Sequence, residues 1–578
     1  MLVVSLLFMV GQVTTWAKAY DRIFGQSSYN DTSYSIVADT LEDAYIIAGH
    51  TTNGPLGGID ILVFKVTADS GKIIWAKCFG TPHDDYARDI TVDYTEAAYV
   101  IDGYTKPSPI DNSQSDALVL KIGLNGGLIW GWVYAGWFIL YEPQLDTIRS
   151  DEYLYAITVD GQGYIVAGNI EPGPCAQWVP MDTSDVLVFK VNTFDGSPLW
   201  IYAYSKASPD YSVWPADYAY SVIEDQHELG LFVVAGKTWW YNDTTDILVF
   251  KGKKDDGLLA TSMWDYSIIG YPSAYAWDIK NDPVTGYVLT GDIDGELAPV
   301  FIMRLNTNLT PIWVRTYSFV VPAFLLSHAI LVDNGKNYVI CGSARPGNNS
   351  DLWVMKTNRT GGVIWSKVLV GCDNQMVLDD YGEDIVEYPD TTYAAVGYTE
   401  WPSVYTPDNI LVAKMDHNGN INCPDTLDTC LVDLDILVDS PEVEVDSSWN
   451  YIEVELELIP IFEDTAEIRD TVICASWAPT GCAEYNVADL RVYNVPNPFM
   501  NTTIIYFNIN VTSDVVISIS DVSGRLIRRY EFESIPSGTY TLVWDGCNSY
   551  GLRVPAGVYF CNLSVGDITI TRKLVLLR

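Results

Sequence analysis

The sequence predicts an all-β protein. A phrase made of an aromatic residue, three mostly apolar residues and a glycine occurs seven times, at residues 45–49, 99–103, 164–168, 232–236, 287–291, 338–342 and 393–397. Aromatic residues make up 13% of the chain, including 38 Tyr and 19 Trp, and flat rings favour pleated strands. The 43 glycines and 28 prolines supply the turns that many short strands require.

Each occurrence of the phrase belongs to a unit of four predicted strands. In the second unit the strands start at Asp85, Tyr99, Asp116 and Leu128, with the tight-turn sequence Asn-Gly-Gly before the fourth. Third strands recur as near copies ending in Lys, and a Trp marks the fourth strand at 16, 75, 130, 200, 264, 313 and 365. Seven such units predict a seven-bladed β-propeller over residues 13–423. We interpret the repeated Trp as packing between blades, and the Lys as pairing with an Asp or capping an exposed edge.

The two ends of the repeat array complement each other. The chain enters at the fourth-strand position, at Trp16, and the last unit stops after a third strand at 409–415. We therefore expect the N-terminal strand to complete the last blade and close the ring. Residues 1–12 are apolar and short, which predicts a signal peptide or its remnant cleaved near Gly11; an uncleaved apolar first strand is the alternative.

The formal net charge of −41 restricts the partners. Nucleic acids and anionic membrane surfaces are excluded as expected partners, because binding phosphates requires clustered Lys and Arg. No later stretch is apolar enough for a membrane-spanning helix. The ten cysteines form no metal-binding pattern; we expect disulfides in an oxidising compartment, with buried free thiols as the alternative.

Residues 424–488 have a different composition, with sixteen Asp and Glu against one basic residue, Arg469. Apolar residues alternate with Glu over 452–458, which predicts a strand with one wet face. We interpret the segment as an acidic, β-rich spacer.

The tail, 489–578, is a separate predicted domain. Residues 491–578 hold eight basic and six acidic residues, so the acidity lies elsewhere. Strands are predicted at 502–508, 514–520, 540–544, 557–563 and 568–577, which suits a small β-sandwich.

Several tail motifs resemble a known family. They are Val-Pro-Asn-Pro-Phe at 495–499, Asp-Val-Ser-Gly-Arg at 521–525, Trp-Asp-Gly at 544–546, Pro-Ala-Gly-Val-Tyr-Phe at 555–560 and the final Arg-Lys-Leu-Val-Leu-Leu-Arg. The tail is similar to the type A sorting domain of type IX secretion, which shares an immunoglobulin-like fold with the flagellar hook-capping protein. The repeats look like uncharacterised secreted bacterial propellers that carry the same tail.

The resemblance implies an exported bacterial protein, secreted or at the cell surface, whose tail contacts the export machinery. The motif residues are Asn497, Pro498, Phe499, Trp544, Asp545, Gly546, Gly557, Tyr559 and Lys573. Cys547 and Cys561 depart from the family pattern, and a local disulfide between them is one interpretation.

One set of acidic residues in the repeats is a candidate site. Asp85, Asp151, Asp217 and Asp380 precede or begin first strands, and would ring one mouth of a central channel that could bind a cation, a basic ligand or a sugar. The alternative is that they are turn residues capping backbone N–H groups. We expect the five histidines, at 50, 83, 227, 328 and 417, to be loop or surface residues.

No cofactor is expected. The sequence Asp-Ile-Asp-Gly at 292–295 leaves a structural calcium ion open, although a turn is the simpler interpretation. No serine-hydrolase, zinc-protease or Walker motif occurs.

The sequence favours a non-enzymatic binding or display module, with a glycan or protein ligand on the long loops before Tyr153, Asp185 and Asp217. An extracellular polysaccharide hydrolase or lyase that uses the channel-mouth acids is the alternative, and a structural spacer of the envelope is the third hypothesis.

Overall fold

The computed structural model describes residues 20–25, 30–472 and 491–577, apart from connecting stretches of which 107–114, 172–183, 207–215, 401–407, 421–429 and 496–502 are the longest. The predicted signal peptide and the motif residues Asn497, Pro498 and Phe499 lie outside the described residues. Every regular element in the described part of the chain is a strand, which confirms the all-β prediction. The chain divides into two compact units, Met1–Ser476 and Trp477–Arg578.

The first unit contains seven antiparallel sheets. The chain begins with β1 (Tyr20–Gly25), which joins sheet 7. Sheet 1 consists of β2 (Asp31–Asp39), β3 (Ala44–Thr52), β4 (Ile59–Thr67) and β5 (Ile73–Gly80). Sheet 2 consists of β6 (Asp84–Asp93), β7 (Ala98–Lys106), β8 (Asp116–Gly123), β9 (Leu128–Leu140) and the short β10 (Asp146–Arg149). Sheet 3 consists of β11 (Asp151–Val159), β12 (Gly163–Glu171), β13 (Asp185–Asn192) and β14 (Pro198–Lys206).

The remaining sheets follow the same plan. Sheet 4 consists of β15 (Ala216–Glu224), β16 (Leu231–Trp239), β17 (Thr245–Lys253) and β18 (Trp264–Ile268). Sheet 5 consists of β19 (Ala274–Asp282), β20 (Gly286–Ile293), β21 (Val300–Leu305) and β22 (Pro311–Phe319). Sheet 6 consists of β23 (Phe324–Val332), β24 (Tyr338–Arg345), β25 (Asp351–Thr357) and β26 (Val363–Val370), and a two-residue pair, β27 (Cys372–Asp373) and β28 (Met376–Val377), follows it. Sheet 7 consists of β29 (Asp379–Glu387), β30 (Tyr393–Glu400) and β31 (Asn409–Met415) with β1 as its fourth strand.

The sheets contact one another in a closed cycle. The first strand of each sheet packs against strands of the preceding sheet, and β2 of sheet 1 packs against β29, β30 and β31 of sheet 7. The pairing of β1 with β31, from Tyr20 opposite Lys414 to Phe24 opposite Ile410, confirms that the N-terminal strand completes the last sheet.

Seven short strands from the predicted spacer run along the outer edges of these sheets. They are β32 (Cys430–Asp433), β33 (Ile436–Asp439), β34 (Val443–Asp446), β35 (Trp449–Glu453), β36 (Glu455–Pro460), β37 (Phe462–Asp464) and β38 (Arg469–Val472). They pair in turn with the fourth strands of sheets 6, 5, 4, 3, 2, 1 and 7. We call them the belt. The alternating stretch predicted as one strand is divided between β35 and β36, which pair with different sheets. The belt therefore belongs to the first unit, and it covers edges that would otherwise be open to pairing with other chains.

The glycine of the repeated phrase has a steric role. At Gly236 an added Cβ would overlap with the backbone carbonyl oxygen of Tyr218 on the neighbouring first strand, and the same relationship holds at Gly49, Gly103, Gly168, Gly291, Gly342 and Gly397. Only a residue without a side chain allows the first strand to approach this closely.

The repeated Lys pairs with an Asp in several sheets, as predicted, and these pairs are buried. Lys65 Nζ lies 2.8 Å from Asp39 Oδ2, and both side chains are buried. Tyr99, from the next unit, donates its hydroxyl to the same carboxylate at 2.5 Å. Burial raises the pKa of Asp39, but the hydrogen bonds from Lys65 and Tyr99 outweigh it and lower the pKa. Equivalent buried pairs include Lys251–Asp225, Lys190–Asp160 and Lys356–Asp333.

The repeated Trp packs between sheets, as predicted. The Trp75 ring lies 6.4 Å from the Tyr99 ring of the next sheet, and its Nε1 donates to the Leu124 carbonyl at 3.2 Å. Trp130 and Trp200 make the corresponding contacts with Tyr164 and Phe232.

The second unit contains two small antiparallel sheets. Its strands are β39 (Arg491–Val495), β40 (Thr503–Ile509), β41 (Ser513–Asp521), β42 (Leu526–Ile535), β43 (Gly538–Trp544), β44 (Gly557–Val565) and β45 (Ile568–Leu576). One sheet has the order β39-β40-β43 and the other β42-β41-β44-β45. The five predicted tail strands are confirmed, while β39 and the charged β42 were not predicted.

The described tail motif residues surround the core of this unit. Trp544 is fully buried and its ring meets Tyr559 edge-on at 5.3 Å. The Tyr559 hydroxyl donates to the Pro555 carbonyl at 2.6 Å, and Asp545 accepts from Arg528 at 2.9 Å. Gly546 has φ +67°, Gly557 begins β44, and Lys573 is exposed in β45. The disulfide suggested between Cys547 and Cys561 is wrong, because both are free thiols.

Candidate functional site

Each first strand carries a β-bulge at the same place. One residue is skipped in the pairing with the second strand, as Arg88 is between Ala87 and Asp89. The seven skipped residues are Tyr34, Arg88, Tyr155, Tyr220, Trp277, His328 and Glu383. We call them the inner ring. Bulges re-aim side chains and are common beside functional sites.

The inner-ring side chains contact one another around the cycle. The Arg88 guanidinium lies over the Tyr34 ring at 4.4 Å and the Tyr155 ring at 5.8 Å. Tyr155 meets Tyr220 at 5.3 Å, and Tyr220 meets Trp277 at 4.5 Å.

The remaining part of the inner ring is charged. His328 lies 5.7 Å from Trp277 and forms an ion pair with Glu383, with 3.1 Å between Nδ1 and Oε2. Burial lowers the pKa of His328, but Glu383 outweighs it and raises the pKa to about 9. His328 is therefore a cation at neutral pH. The inner ring thus combines four aromatic rings, two cations and one carboxylate.

Further aromatic rings extend the inner ring along sheets 2 to 5. We call these residues, which are Tyr86, Tyr104, Tyr153, Tyr218 and Tyr275, the aromatic arc. Tyr86 stacks on Tyr104 at 5.0 Å, and Tyr104 meets Tyr153 at 5.0 Å. Tyr218 stacks on Tyr220, and Tyr275 meets Trp277 at 5.5 Å. Tyr86, Tyr153, Tyr218 and Tyr275 are half-buried, so the arc offers ring surface together with hydroxyl groups.

Buried carboxylates join the first strands next to the inner ring. Asp89 accepts from Ser35 of sheet 1 at 2.8 Å and from the Ile157 N–H of sheet 3 at 3.0 Å. Asp278 accepts from Ser221 of sheet 4 at 2.8 Å. Lys280 donates to Asp278 at 2.7 Å. Burial lowers the pKa of Lys280, but Asp278 outweighs it and the pKa is raised.

The four acidic residues predicted at a channel mouth are not gathered into an open cluster. Asp85 and Asp217 are fully buried and Asp380 is 4% exposed. Asp85 accepts from the Thr81 N–H at 2.6 Å, and Asp217 accepts from Thr238 at 2.8 Å. The carboxylates of Asp85 and Asp217 therefore have hydrogen-bond donors within the protein.

The strand register corrects the alignment of the fourth acid. Leu154 pairs with Gly168 as Ala87 pairs with Gly103, so Glu152, which is fully buried, corresponds to Asp85. Asp151 lies one position earlier, and accepts a hydrogen bond from the Ser115 N–H.

Two histidines lie in strands and contact this region, contrary to the expectation that all five are loop or surface residues. His50 in β3 is 9% exposed and packs edge-on against Tyr86 at 4.9 Å. Burial lowers its pKa to about 3, and the charges of Arg88 and Lys106 add to the effect. The second is His328 of the inner ring.

The sequence suggested calcium near Asp292. This residue lies in β20, where its carboxylate accepts from the Ser327 N–H at 2.8 Å and from Trp277 Nε1 at 2.7 Å. Among the residues that the structure describes, no group of three or more His, Cys, Asp or Glu side chains has a metal-binding arrangement.

A cavity of about 800 Å³ lies at the other ends of the first strands. Val37, Val92, Val386, Glu387 and Tyr94 are among the residues that line it. It is separated along the strands from the inner ring, and its lining mixes aliphatic and polar side chains.

Comparison with known proteins gives one family match. The model described as FlgD Ig-like domain matches residues 501–566. No curated protein matches the chain. None of the described residues forms a helix with the length and hydropathy needed to cross a bilayer.

Two solved structures are also similar to the chain. One is PorZ of Porphyromonas gingivalis, described as an essential bacterial surface component of the type IX secretion system. It is 11% identical, with a TM-score of 0.21, and the match covers 96% of this chain and 100% of that chain. The other is dimeric latent PorU from the same organism, at 9% identity and a TM-score of 0.14, covering 80% of this chain and 32% of that chain. These values are too low to indicate a shared fold.

Proposed function

We propose that the first unit is a seven-bladed β-propeller that binds a glycan at the inner ring and aromatic arc, without catalysis. The propeller assignment is supported by seven repeated sheets, by their closed cycle of contacts and by the pairing of β1 with β31. In that architecture the first strands line a central channel.

The observation that carries the binding proposal is the inner ring itself. Each of the seven sheets contributes one bulge residue, and four of the seven are aromatic. Sugars stack their C–H faces on aromatic rings, while hydroxyl groups beside the rings fix orientation. Glycan recognition fits this surface better than recognition of an aliphatic ligand.

A glycan array probed with the full chain tests this proposal. We expect binding that is lost in Trp277→Ala and retained in Tyr94→Ala, because Tyr94 is half-exposed at the other end of the first strands. Both variants are checked for an unchanged melting temperature. Absence of glycan binding by the wild-type chain would overturn the proposal.

We further propose that the tail directs export to the cell surface or medium through a type IX route. The support is the motif set of the tail together with the FlgD Ig-like match. Expression of the chain without 489–578 in a bacterium with type IX secretion should leave the protein inside the cell. Normal appearance outside the cell would contradict the sorting role.

The hydrolase or lyase alternative gains no support from the four predicted acids, since the carboxylates of Asp85, Asp151 and Asp217 accept hydrogen bonds from backbone or Thr groups and Asp380 is buried. The inner ring contributes one carboxylate, Glu383, and it is paired with His328. Two carboxyls flanking a bond are the usual requirement for glycoside hydrolysis.

A further inference from the structure

Three cations, one in the inner ring and two beside it, lie over tyrosine rings. Arg88 lies over Tyr34, Tyr104 and Tyr155. Lys106 lies 5.1 Å from the Tyr86 ring centre, and Lys237 lies 4.5 Å from that of Tyr218. Within the part of the chain that the structure describes, none of the three forms an ion pair with a carboxylate, although the chain carries 74 Asp and Glu.

This arrangement differs from that of the repeated lysines, which form ion pairs with acidic residues, as Lys65 does with Asp39. Arg88 donates Nη2 to the Tyr104 hydroxyl at 3.0 Å, and its Nε is buried without a partner. A guanidinium with unused donors is suited to bidentate binding of a planar carboxylate.

Two of these cations act on a neighbouring side chain, although the carboxylates of Glu171 and Asp294 also act on Lys237. His50 packs against Tyr86, and the charges of Arg88 and Lys106 contribute to its lowered pKa. The formal net charge of the chain is −41, so three cations without an ion-paired carboxylate form a local exception in a protein that repels anions as a whole.

We propose that the glycan bound at the inner ring and aromatic arc is acidic, with Arg88 binding its carboxylate or sulfate group and Lys106 and Lys237 adding attraction. This inference rests on the proposed function. It adds the class of ligand, namely an oligosaccharide with an anionic group on at least one sugar.

Titration calorimetry with the full chain tests the inference with two matched ligands, an oligogalacturonate hexamer and the same hexamer fully methyl-esterified. A heparin hexasaccharide distinguishes sulfate from carboxylate recognition. We expect at least tenfold tighter binding of one acidic hexamer than of the ester, weakening as NaCl rises from 50 to 300 mM, because salt screens charges on this length scale.

Arg88→Gln should reduce the affinity for the acidic hexamer at least tenfold, and Arg88→Lys should retain part of that affinity. Lys237→Gln provides a second test if the Arg88 variants unfold. Lys72→Gln is the control, since Lys72 is exposed in a turn between β4 and β5.

The results separate the two proposals. Two outcomes would overturn the acidic-ligand inference and leave glycan binding standing. One is binding of neutral array glycans with no preference for either acidic hexamer. The other is unchanged binding of the acidic hexamer in both folded Gln variants. Failure of every glycan to bind overturns the proposed function as well.

Discussion

Ser35 Oγ lies 2.9 Å from Asp384 Oδ2, within hydrogen-bonding distance, and this contact joins the first sheet to the seventh across 349 residues of chain. The same carboxylate oxygen accepts from the Ile36 N–H at 2.9 Å. Ser33 adds a hydrogen bond to the Gly397 carbonyl at 2.7 Å. Polar contacts between the ends of the repeat array therefore reinforce the closure made by β1.

The first prediction concerns that closure. Removing residues 1–25 deletes β1, which exposes the edge of β31 and leaves β38 without its partner. We expect the first unit to melt at least 10 °C lower in a single cooperative transition, measured by calorimetry. An unchanged transition temperature would contradict the role of β1 in closing the cycle.

The second prediction concerns the buried lysines. Lys251→Met should destabilise the first unit by about 3–5 kcal/mol, because it leaves Asp225 charged and buried without its partner. The double variant Lys251→Met, Asp225→Asn should recover part of this loss. Lys72→Met, at an exposed turn, should change stability by less than about 0.5 kcal/mol. Urea unfolding at pH 7 measures all three, and equal effects of the two Met variants would argue against a buried pair.

The third prediction concerns the repeated glycine. Gly236→Ala places a Cβ against the Tyr218 carbonyl oxygen, which rigid backbone cannot avoid, so we expect a loss of about 3 kcal/mol. In Gly127→Ala the nearest atom belongs to the movable side chain of Asn125, and the loss should stay below about 1 kcal/mol. Thermal unfolding compares the two, and similar losses would show that close approach of the strand is not the reason for glycine.

The fourth prediction concerns the pH dependence of stability. Burial raises the pKa of Asp85 from 3.8 to about 7, and the nearby Asp60 adds to the rise. The folded state therefore holds this proton more tightly than the unfolded chain does. The resulting stabilisation is complete below about pH 4 and is lost as pH rises to about 7.

Asp85→Asn should accordingly flatten the fall in stability between pH 4 and 7. Asp69→Asn is the control, because hydrogen bonds from Ser70 and Thr67 lower the pKa of Asp69 and place its effect below pH 4. Melting temperatures measured at intervals of one pH unit provide the test. A wild-type slope that persists in Asp85→Asn would assign the dependence to other groups.

The strands themselves follow from local sequence. Third strands such as 246–251 are apolar on both faces, and turns such as Asn125-Gly126-Gly127 carry residues that accept a positive φ. These signals depend on neighbours within a few residues, so the order of the strands, the repeat and the position of the N-terminal strand could be predicted. Five tail strands were predicted for the same reason; β39 was not, nor was β42, where Arg528, Arg529 and Glu531 conceal the alternation.

The candidate site could not be predicted in this way. The bulge position is occupied by unlike residues, from Tyr34 and Arg88 to His328 and Glu383, so the repeat does not reveal it. The acidic residue that does recur, at the position of Asp85, was predicted as the site and is buried. A signal was nevertheless present when the seven first strands are compared with one another. The bulge residue lies two positions before a buried Ile or Val in each of them, and it is polar or aromatic in every unit.

The sequence by itself determined an all-β chain with seven similar units and a distinct tail, because hydrophobic period and turn chemistry are local properties. Only the tertiary structure decided which side chains meet. The inner ring brings together residues from 34 to 383, and the belt pairs 430–472 with strands that lie from about 60 to about 450 residues earlier in the chain. Contacts of this kind depend on the closing of the cycle of sheets, which no short stretch of sequence encodes.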